Sequence, residues 1–558
     1  MFTTSSFKEK VRKAIDAISL LLQNGRPCIS AWSSGKDSSV SLSLVLIAAL
    51  ETKHKGHSLP PIIVSHGDTT VENPEIRAYA DSEIQRVKAF AETQGLPLNV
   101  SVARPNLAES WQVRVIGGRA LPSFPGTNHD CSMDLKIRPM NRLRNSLLGK
   151  GMEHSVTVIG TRFEESPARA ARMTERGETP YQPWQGDDGM LYLSPIAEFT
   201  MEDVWEFLGR ARAGEAGFRT FSDFDDLFRI YADSSGSSCA VVGDMASAGK
   251  SKPCGARTGC WCCTPVGIDK SLTAMIEGDE RYAYMRGLNR LQRFLVNTRW
   301  DLSRRNWLGR SVDEDGYVAI APDVYSPDML RNLLRMTITL DVEEQARAAR
   351  AGEAPRFEII DLRTLVAIDA HWNMQGYHLP FEAWRVWKEI YEEGARYPVP
   401  EVAETPRPKK IPKPRYLYVG HEWNADTQLI GLRDITLEMV SEQGSSCMGT
   451  RTTADGRTVL DMNSGINMDV DLEGVLDFFQ FELDDQLRRK TFNPTEGYLC
   501  YARLGFLSIA RQSYGVIDEI LRRTWWKWHN GCFGQMSPDE LIARSVTIRQ
   551  QDLFRKTA

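Results

Sequence analysis

The sequence lacks any apolar run long enough to cross a membrane, and its first residues lack the apolar core of a signal peptide. It also lacks an excess of positive charge, since 68 Lys and Arg face 73 Asp and Glu for a formal net charge of −5. This balance excludes a strongly basic coat for nucleic acid but not a local basic groove. We therefore expect a cytosolic protein with no membrane partner. In that compartment, the 10 cysteines indicate metal binding or catalysis rather than disulfides.

The chain is too long for one hydrophobic core, and its 558 residues predict about three domains. A stretch rich in Pro and Lys, residues 396–415, predicts a stiff linker before a smaller C-terminal domain at 416–558. Apolar spacing predicts helices over 288–308, 380–393, 471–489 and 515–528.

No G-x-x-x-x-G-K-[ST] is present, which excludes the Walker phosphate loop. A different stretch, Ser33 to Ser38, nevertheless predicts an anion site. It follows a short apolar run, Pro27–Trp32, of the length of a buried strand, and a helix is predicted over Asp37–Glu51. A strand, a small-residue turn and a helix N-terminus place unpartnered N–H groups and the positive end of the helix dipole at one point.

The side chains of this loop suit a phosphate. Gly35 permits close approach of the backbone, Lys36 adds a cation, and Ser33 and Ser38 add hydroxyl donors. Asp37 is expected to cap the helix or to hold a metal ion that the phosphates also bind. An ordinary strand–turn–helix with polar turn residues is the alternative.

Three more predicted strands alternate with helices, and this order favours a parallel sheet with helices on both faces. The strands are predicted at 62–64, 98–102 and 156–159, with a long helix at 75–94. In such a sheet, ligands lie beyond the carboxyl ends of the strands. The loop Ser33–Asp37 follows one strand, and Asp68, Arg104 and Arg162 follow the others. Asp68 and Glu72 are candidates for binding a metal or a nucleotide, although helix capping competes for Glu72.

The loop Ser33-Ser34-Gly35-Lys36-Asp37-Ser38 resembles the S-G-G-x-D-S pyrophosphate loop of the PP-loop ATP pyrophosphatases, which include the phosphoadenosine-phosphosulfate reductases. Ser34 stands where that family usually has Gly, and a residue as small as serine is expected to preserve the loop. The resemblance implies the α/β fold of the adenine nucleotide alpha hydrolases, with ATP and Mg²⁺ as ligands. It also implies that the whole loop and Asp68 bind the nucleotide. Lys36 and Asp37 would act in its cleavage between the α and β phosphates.

Two later segments resemble motifs of the reductase-like branch of this superfamily. Cys131 to Pro139 resembles C-x-x-x-L-K-x-x-P, and Gly160 to Arg169 resembles G-x-R-x-x-E-S-x-x-R. Lys136, Arg162 and Arg169 would bring positive charge to the phosphates of a nucleotide or to a negatively charged co-substrate. For Lys136 and Arg169, a solvated helix face is the alternative. The resemblance implies catalytic roles for Lys136 and Arg162 and nucleotide binding by Arg169.

Four cysteines form the second strong feature of the sequence. Cys260 and Cys263 are a C-x-x-C pair, and Cys254 and Cys239 precede them. Four thiolates with one tight pair can hold zinc or a [4Fe–4S] cluster, and the spacing alone does not choose between them. Cys262 is adjacent to Cys263 and would point elsewhere, so it is left out of the ligand set.

This cysteine pattern and its surroundings resemble the DndC family and its SspD-like relatives, the PP-loop proteins of bacterial DNA phosphorothioation. The resemblance rests on Cys239, Cys254 to Thr264, Asp269 to Ser271 and Asp68 to Pro74. It implies an ATP pyrophosphatase that serves sulfur incorporation into the DNA backbone, within a modification and defence system. The implied partners are DNA, a cysteine desulfurase and other subunits of that system. The implied [4Fe–4S] ligands are Cys239, Cys254, Cys260 and Cys263.

Three points stay open in the sequence. A phosphoadenosine-phosphosulfate reductase of sulfur assimilation would need a nucleophilic Cys near the chain end, where this sequence has none. A non-catalytic assembly subunit could instead bind ATP as a switch. Cys131 is a sulfur carrier, a persulfide site, a neighbour of the cluster or a buried structural cysteine.

The predictions divide the chain into four parts. Residues 1–210 form the PP-loop domain, closed by a helix that Thr200 caps, and residues 211–395 form a helical domain with the cysteine cluster. The linker and the C-terminal accessory domain follow. Basic side chains at 299–310 and, interleaved with tryptophan, at 522–529 could contact nucleic acid. A solvated helix surface and core packing are the respective alternatives.

Overall fold

A computed structural model describes most of the chain, namely residues 6–124, 130–215, 217–235, 259–424, 429–434, 449–452, 458–461, 468–489 and 493–547. Its residues pack as two units. The first comprises 1–105, 132–263 and 268–289, and the second comprises 106–131, 264–267 and 290–558. Within the described ranges, no helix has both the length and the apolar character needed to span a bilayer.

The first unit is built on a six-stranded sheet with the order β3-β2-β1-β4-β6-β5. All neighbouring strands are parallel except β5 and β6, which pair antiparallel. The strands are β1 (Cys28–Trp32), β2 (Ile62–Gly67), β3 (Leu98–Ala103), β4 (Val156–Val158), β5 (Trp184–Gln185) and β6 (Leu191–Leu193). The predicted α/β class with a mostly parallel sheet is therefore confirmed.

Strand β1 lies in the middle of this sheet and decides where a ligand can bind. Its residue Cys28 pairs with Ile62 of β2 on one side and with Val156 of β4 on the other. The chain builds β2 and β3 outward on the first side and then returns to place β4 on the second. The strand order therefore reverses beside β1, and a crevice opens at the carboxyl end of a parallel sheet at such a point.

Helices cover the sheet of the first unit, and their ends follow the local sequence. Asn73 caps the helix that Pro74 begins, and the left-handed Gly95 ends it. Thr200 caps its helix by accepting from the Asp203 N–H, as predicted. The helices are α1 (Phe7–Gln23), α2 (Lys36–His54), α3 (Pro74–Gln94), α4 (Asp130–Ser132, at the boundary between the units), α5 (Arg138–Leu147), α6 (Pro167–Glu175), α7 (Met201–Arg212), α8 (Asp225–Ser235) and α9 (Lys270–Gly278).

The second unit is mostly helical, with short antiparallel sheets. Its described helices are α10 (Arg286–Asn297, which begins in the first unit), α11 (Pro327–Ala351), α12 (Leu362–Gln375), α13 (Glu382–Tyr391), α14 (Leu472–Asp477), α15 (Leu483–Arg488), α16 (Glu496–Arg503), α17 (Tyr514–His529) and α18 (Pro538–Arg544). Its described strands are β7 (Leu308–Val312), β8 (Tyr317–Ile320), β9 (Arg415–Tyr418), β10 (Gly449–Thr452), β11 (Thr458–Asp461), β12 (Asp469–Val470) and β13 (Leu507–Ser508).

The helix predicted over 288–308 is wrong in its second half. Helix α10 ends at Asn297, and the chain continues into the hairpin of β7 and β8. The turn of this hairpin is stabilised by Asp313, whose carboxylate accepts from the Tyr317 N–H at 2.8 Å, and Gly316 adopts a φ of 81°. Residues 396–414 of the proline-rich stretch form neither helix nor strand, and Arg415 begins β9. The stretch contacts the end of α10 through a 2.8 Å bond from the Thr405 N–H to the Asn297 carbonyl.

Candidate functional site

The loop after β1 has the backbone geometry of an anion site. Helix α2 begins at Lys36, and the residue before it, Gly35, provides no side-chain cap for the first amides. The loop is held closed by Ser38, whose hydroxyl accepts from the Ser33 N–H at 3.1 Å and donates to the Gly35 carbonyl at 3.0 Å. The polar groups predicted to bind phosphate therefore surround the start of a single helix.

Ser34 explains why the related loops prefer glycine at its position. Its φ is 57°, in the left-handed region, and its side chain is buried at 3 % exposure. The hydroxyl compensates part of the strain by donating to the Ser33 carbonyl at 2.6 Å. Thr70, in the loop after β2, has a φ of 65°, so both loops hold a strained residue, which is a common property of functional sites.

We expect Ser34→Gly to be more stable than Ser34→Ala by about 1 kcal/mol, because alanine keeps the left-handed strain and loses the hydroxyl bond. Urea unfolding of the two variants measures the difference. The matched control is Ser41, in the middle of α2, where Ser41→Ala should be more stable than Ser41→Gly by about 1 kcal/mol. If the alanine variant were the more stable one at both positions, the backbone strain at Ser34 would be contradicted.

Asp37 lies between two cations. Lys36 Nζ is 2.8 Å from one of its carboxylate oxygens, and Arg162 Nε is 2.6 Å from the other. Arg162 is only 1 % exposed, and its guanidinium also contacts Glu164 and the Phe199 carbonyl, each at 3.4 Å. The structure thus places Arg162 against the loop's carboxylate, where it can orient Asp37.

Gly160, just before Arg162, is required by this packing. A Cβ added there would lie 3.0 Å from the Asp37 carbonyl carbon and from the Ser38 nitrogen. The end of β4 therefore supports the first turn of α2 directly, and a larger residue would displace the loop. The glycine of the G-x-R segment has this steric role.

Asp68 follows β2 and is buried among arginines. Its carboxylate accepts from Arg104 Nε and from the Thr70 N–H, both at 2.8 Å, and Arg77 lies at 3.8 Å. Burial alone would raise the pKa of Asp68, yet the charge of Arg77 and the bond from Arg104 hold that pKa below its ordinary value. The ends of β2 and β3 therefore meet as predicted, and Asp68 stays ionised.

The C-x-x-C segment, Cys260 to Cys263, packs against the loop that follows Asp68. The Trp261 N–H donates to the Val71 carbonyl at 3.0 Å, and Cys260 forms an antiparallel bridge with Glu72. Cys260 Sγ lies 3.9 Å from the Thr69 hydroxyl. The turn is closed by a 2.9 Å bond from the Cys263 N–H to the Cys260 carbonyl. One thiol pair is therefore brought to the same edge of the sheet as the phosphate loop.

The electrostatics of Cys260 link this turn to Lys136. Burial raises the pKa of the Cys260 thiol to about 11, and the positive charge of Lys136 opposes that rise. Lys136 itself is exposed, near the end of the helical turn Met133–Ile137 that leads into α5. The structure thus brings Lys136 near the cysteine turn, and Glu72 lies there too, raising the same pKa.

Other predicted site residues are placed elsewhere or outside the described ranges. Arg169 pairs with Glu165 one turn earlier on its own segment. Cys131 belongs to the second unit, where its N–H donates to the Ser123 hydroxyl at 3.5 Å. Cys239 and Cys254 lie outside the described residues, and within the described ranges no three His, Cys, Asp or Glu side chains are placed to hold a metal ion.

Basic side chains of both stretches are paired with other groups of the second unit. Among residues 299–310, Arg299 pairs with Glu404 at 2.7 Å and Arg310 with Asp323 at 2.9 Å. In the 522–529 stretch, Arg522 pairs with Asp434 at 2.8 Å, and the buried Lys527 donates to two backbone carbonyls. These contacts favour core packing for the tryptophan-rich stretch.

Sequence reasoning missed Tyr231 on α8. Its hydroxyl lies 3.7 Å from the position that a Cβ on Gly35 would occupy, and Lys36 Nζ lies 5.5 Å from its ring centroid. No motif of the loop extends to this residue. The only signal was that α8 follows α7 closely in the chain.

Comparison with known proteins shows that part of this unit is similar to a domain family. Residues 27–214 match the family model of the phosphoadenosine phosphosulfate reductase domain. This is about a third of the chain, and it contains β1 to β6, the phosphate loop, Asp68, Lys136 and Arg162. Members of this domain family are enzymes that act on nucleotides, and the observed sheet agrees with such a domain.

The curated relatives are similar at low identity. The phosphoadenosine 5'-phosphosulfate reductase of Xanthomonas axonopodis pv. citri is 27% identical over 198 residues, covering 35% of this chain and 68% of the relative. That of Xanthomonas campestris pv. campestris is 28% identical over 220 residues, covering 38% of this chain and 76% of the relative. Both similarities leave more than half of this chain uncovered.

Among solved structures, FMN adenylyltransferase of Candida glabrata with FMN and an ATP analogue is similar at 17% identity, covering 38% of this chain and 60% of that one. Its TM-score is 0.22, and at that value the likeness bears on no functional question.

Proposed function

We propose that the first unit binds MgATP at Ser33–Ser38 and cleaves it between the α and β phosphates, releasing AMP and pyrophosphate. The observation that carries the proposal is the loop: an uncapped helix N-terminus beside Lys36, at the strand where the sheet order reverses. The match of residues 27–214 to a domain that acts on phosphorylated nucleotides supports a nucleotide as the ligand.

Asp37 and its two cations suit this reaction. Asp37 would hold the Mg²⁺ that accompanies ATP, since Mg²⁺ is bound by one or two carboxylates together with phosphate oxygens. With Asp37 engaged in that way, Lys36 is free to face the departing pyrophosphate and to stabilise its charge. Arg162 remains on the other carboxylate oxygen and fixes the orientation of Asp37.

We extend the proposal to sulfur incorporation into DNA. An oxygen of a DNA phosphate would attack the α-phosphorus as pyrophosphate leaves, and a sulfur nucleophile would then displace AMP, which carries the replaced oxygen away. The C-x-x-C turn is hydrogen-bonded to the loop after Asp68, at the edge of the sheet that also carries the phosphate loop. This position supports sulfur chemistry at that edge. The sequence resemblance to the DndC family supports DNA as acceptor, with a cysteine desulfurase and other subunits as partners.

Two of the four predicted cysteine ligands, Cys260 and Cys263, lie within the described residues. Cys260 and Cys263 are both partly accessible in one tight turn, whereas Cys262 is 5 % exposed and faces inward. The predicted ligand set is completed by Cys239 and Cys254, which lie outside the described residues. A [4Fe–4S] cluster held by the four would supply iron that can carry sulfur or electrons, whereas zinc would only brace the fold.

The test is product analysis with purified protein, MgATP, double-stranded DNA and sulfide. We expect AMP and pyrophosphate in equal amounts. Lys36→Met should lower their rate of formation about 100-fold or more, because it removes the cation that faces the leaving group. The control is Lys55→Met, an exposed lysine at the other end of α2, which should keep the rate. ADP and orthophosphate as products, or a fully active Lys36→Met, would contradict the proposal.

A second candidate is reduction of phosphoadenosine phosphosulfate, because the relatives at 27% and 28% identity carry that name. The assay is release of sulfite from that nucleotide with thioredoxin as the reductant. Sulfite release without AMP and pyrophosphate from ATP would replace the first proposal by this one.

A further inference from the structure

Helix α8 places an aromatic ring against the phosphate loop. Tyr231 lies on this helix, with its hydroxyl 3.7 Å from the Cβ position of Gly35. The ring centroid is 5.5 Å from Lys36 Nζ, within the range of a cation–π contact. Residue 231 lies beyond the segment that matches the reductase domain, so this contact comes from outside the matched domain.

The ring is held by rigid elements. It packs edge-on against Trp205 of α7 at 5.3 Å, and Trp205 packs on Phe228 at 5.1 Å. Leu227 and Ile230 bury α8 in the core of the first unit. The position of the ring is therefore set by two packed helices rather than by a loop, as an effective positioning group requires.

The contact with the Tyr231 ring suits Lys36, which in the proposed reaction leaves Asp37 and meets pyrophosphate. A carboxylate neutralises Lys36 and competes with phosphate, and Asp37 does so at 2.8 Å. An aromatic face attracts the ammonium more weakly and leaves its full charge available to an anion. It also restricts the long side chain, whose rotamer freedom would otherwise oppose binding.

We infer that Tyr231 is a positioning residue, which holds Lys36 over the phosphate loop so that its charge meets the pyrophosphate group. The inference rests on the proposed function in that pyrophosphate is taken as the group that Lys36 meets. Helix α8 therefore contributes a residue to the lining of the phosphate site. The ring, not the hydroxyl, carries the effect.

The experiment measures binding of inorganic pyrophosphate by calorimetry, together with kcat and KM for AMP formation. Tyr231→Phe should bind within about twofold of the unchanged protein, because it keeps the ring. Tyr231→Leu should bind about 3- to 30-fold more weakly and lose a similar factor in kcat, with KM for ATP little changed. Equal behaviour of the Phe and Leu variants would overturn the inference.

A double mutant separates positioning from a structural role. In a Lys36→Met background, Tyr231→Leu should have no further effect on pyrophosphate binding, because the cation it positions is absent. Independent, multiplicative effects would overturn the inference. The matched control is Tyr181→Leu, which removes another lysine–tyrosine contact, that of Lys13 at 5.7 Å, and should leave pyrophosphate affinity unchanged.

The two proposals fail separately. If the protein forms no AMP from ATP, the proposed function fails, yet pyrophosphate affinity still reports whether Tyr231 acts through Lys36. If AMP forms and Tyr231→Leu binds pyrophosphate normally, only the role of Tyr231 is lost.

Discussion

Asp37→Asn is expected to destabilise the first unit by about 3–5 kcal/mol, because it removes the closest counter-charge of the buried Arg162. Arg162 is 1 % exposed, and Asp37 is its closest carboxylate at 2.6 Å. The remaining contacts with Glu164 and the Phe199 carbonyl are long, at 3.4 Å. They cannot replace the lost charge, since a guanidinium removed from water needs a short, charged partner.

The converse substitution should cost less. Arg162→Met leaves Asp37 with Lys36 at 2.8 Å, and the Asp37 side chain is 21 % exposed. We expect a loss of about 1–2 kcal/mol, close to that of one charged hydrogen bond. The pair Asp37→Leu with Arg162→Met should be more stable than Asp37→Asn alone, because no buried guanidinium is then left without its closest carboxylate. Lys36 loses Asp37 in both proteins, so its loss does not affect the comparison.

Hydrogen exchange of the β1 and α2 amides measures these differences within the first unit, independently of the stability of the second unit. The asymmetry is the decisive result. Equal costs for the two single variants, or strictly additive costs in the double variant, would show that Arg162 does not depend on Asp37.

The parallel sheet, and the position of polar residues at the carboxyl ends of its strands, could be predicted because the signals in the sequence are local. A short apolar run followed by Ser33 to Gly35 marks both the end of β1 and the start of α2. The same holds for Asp68 and Arg104, which follow their strands directly and meet because parallel strands end at one edge. The strand order, which places β1 at the reversal, was not part of the prediction and comes from the structure.

What the sequence did not reveal depends on distant packing. Nothing near Arg162 in the chain distinguishes a phosphate ligand from a buried partner of Asp37, since the distinction lies in where β4 meets α2. Tyr231 reaches the loop only through the packing of α8. In contrast, the β7–β8 hairpin was missed although Asp315-Gly316 is a common turn dipeptide, because the apolar spacing before it was extended too far.

A different group, Glu83 on α3, should make the stability of the first unit depend on pH. Its side chain is fully buried, and its Oε1 accepts from the Ser222 hydroxyl at 2.9 Å. Arg86 lies 3.2 Å away but is shared with Asp223 at the same distance. Among the described residues, Oε2 has no hydrogen-bond partner. Burial therefore raises the pKa of Glu83 to about 7 from its ordinary value of 4.5.

The sign of the effect follows from the two pKa values. Between pH 4.5 and 7, folded Glu83 keeps a proton that the unfolded chain releases, so stability is present at low pH and falls as the pH rises through this window. The whole loss amounts to about 3 kcal/mol at pH 8, since one pKa unit corresponds to about 1.4 kcal/mol. Glu83→Gln cannot ionise and keeps an acceptor for Ser222, so it should be the more stable protein at pH 8 by that amount.

Urea unfolding at pH 5 and pH 8 tests this expectation, with hydrogen exchange of α3 as the local readout. At pH 5 the variant and the unchanged protein should differ by less than about 1 kcal/mol, because the folded state carries a neutral side chain in both and little of the pH window has been crossed. Glu92→Gln, at an exposed position of the same helix, is the matched control and should leave the pH dependence as it was. A Glu83→Gln protein that loses stability from pH 5 to pH 8 as steeply as the unchanged one would show that this buried carboxyl is already ionised in the folded state.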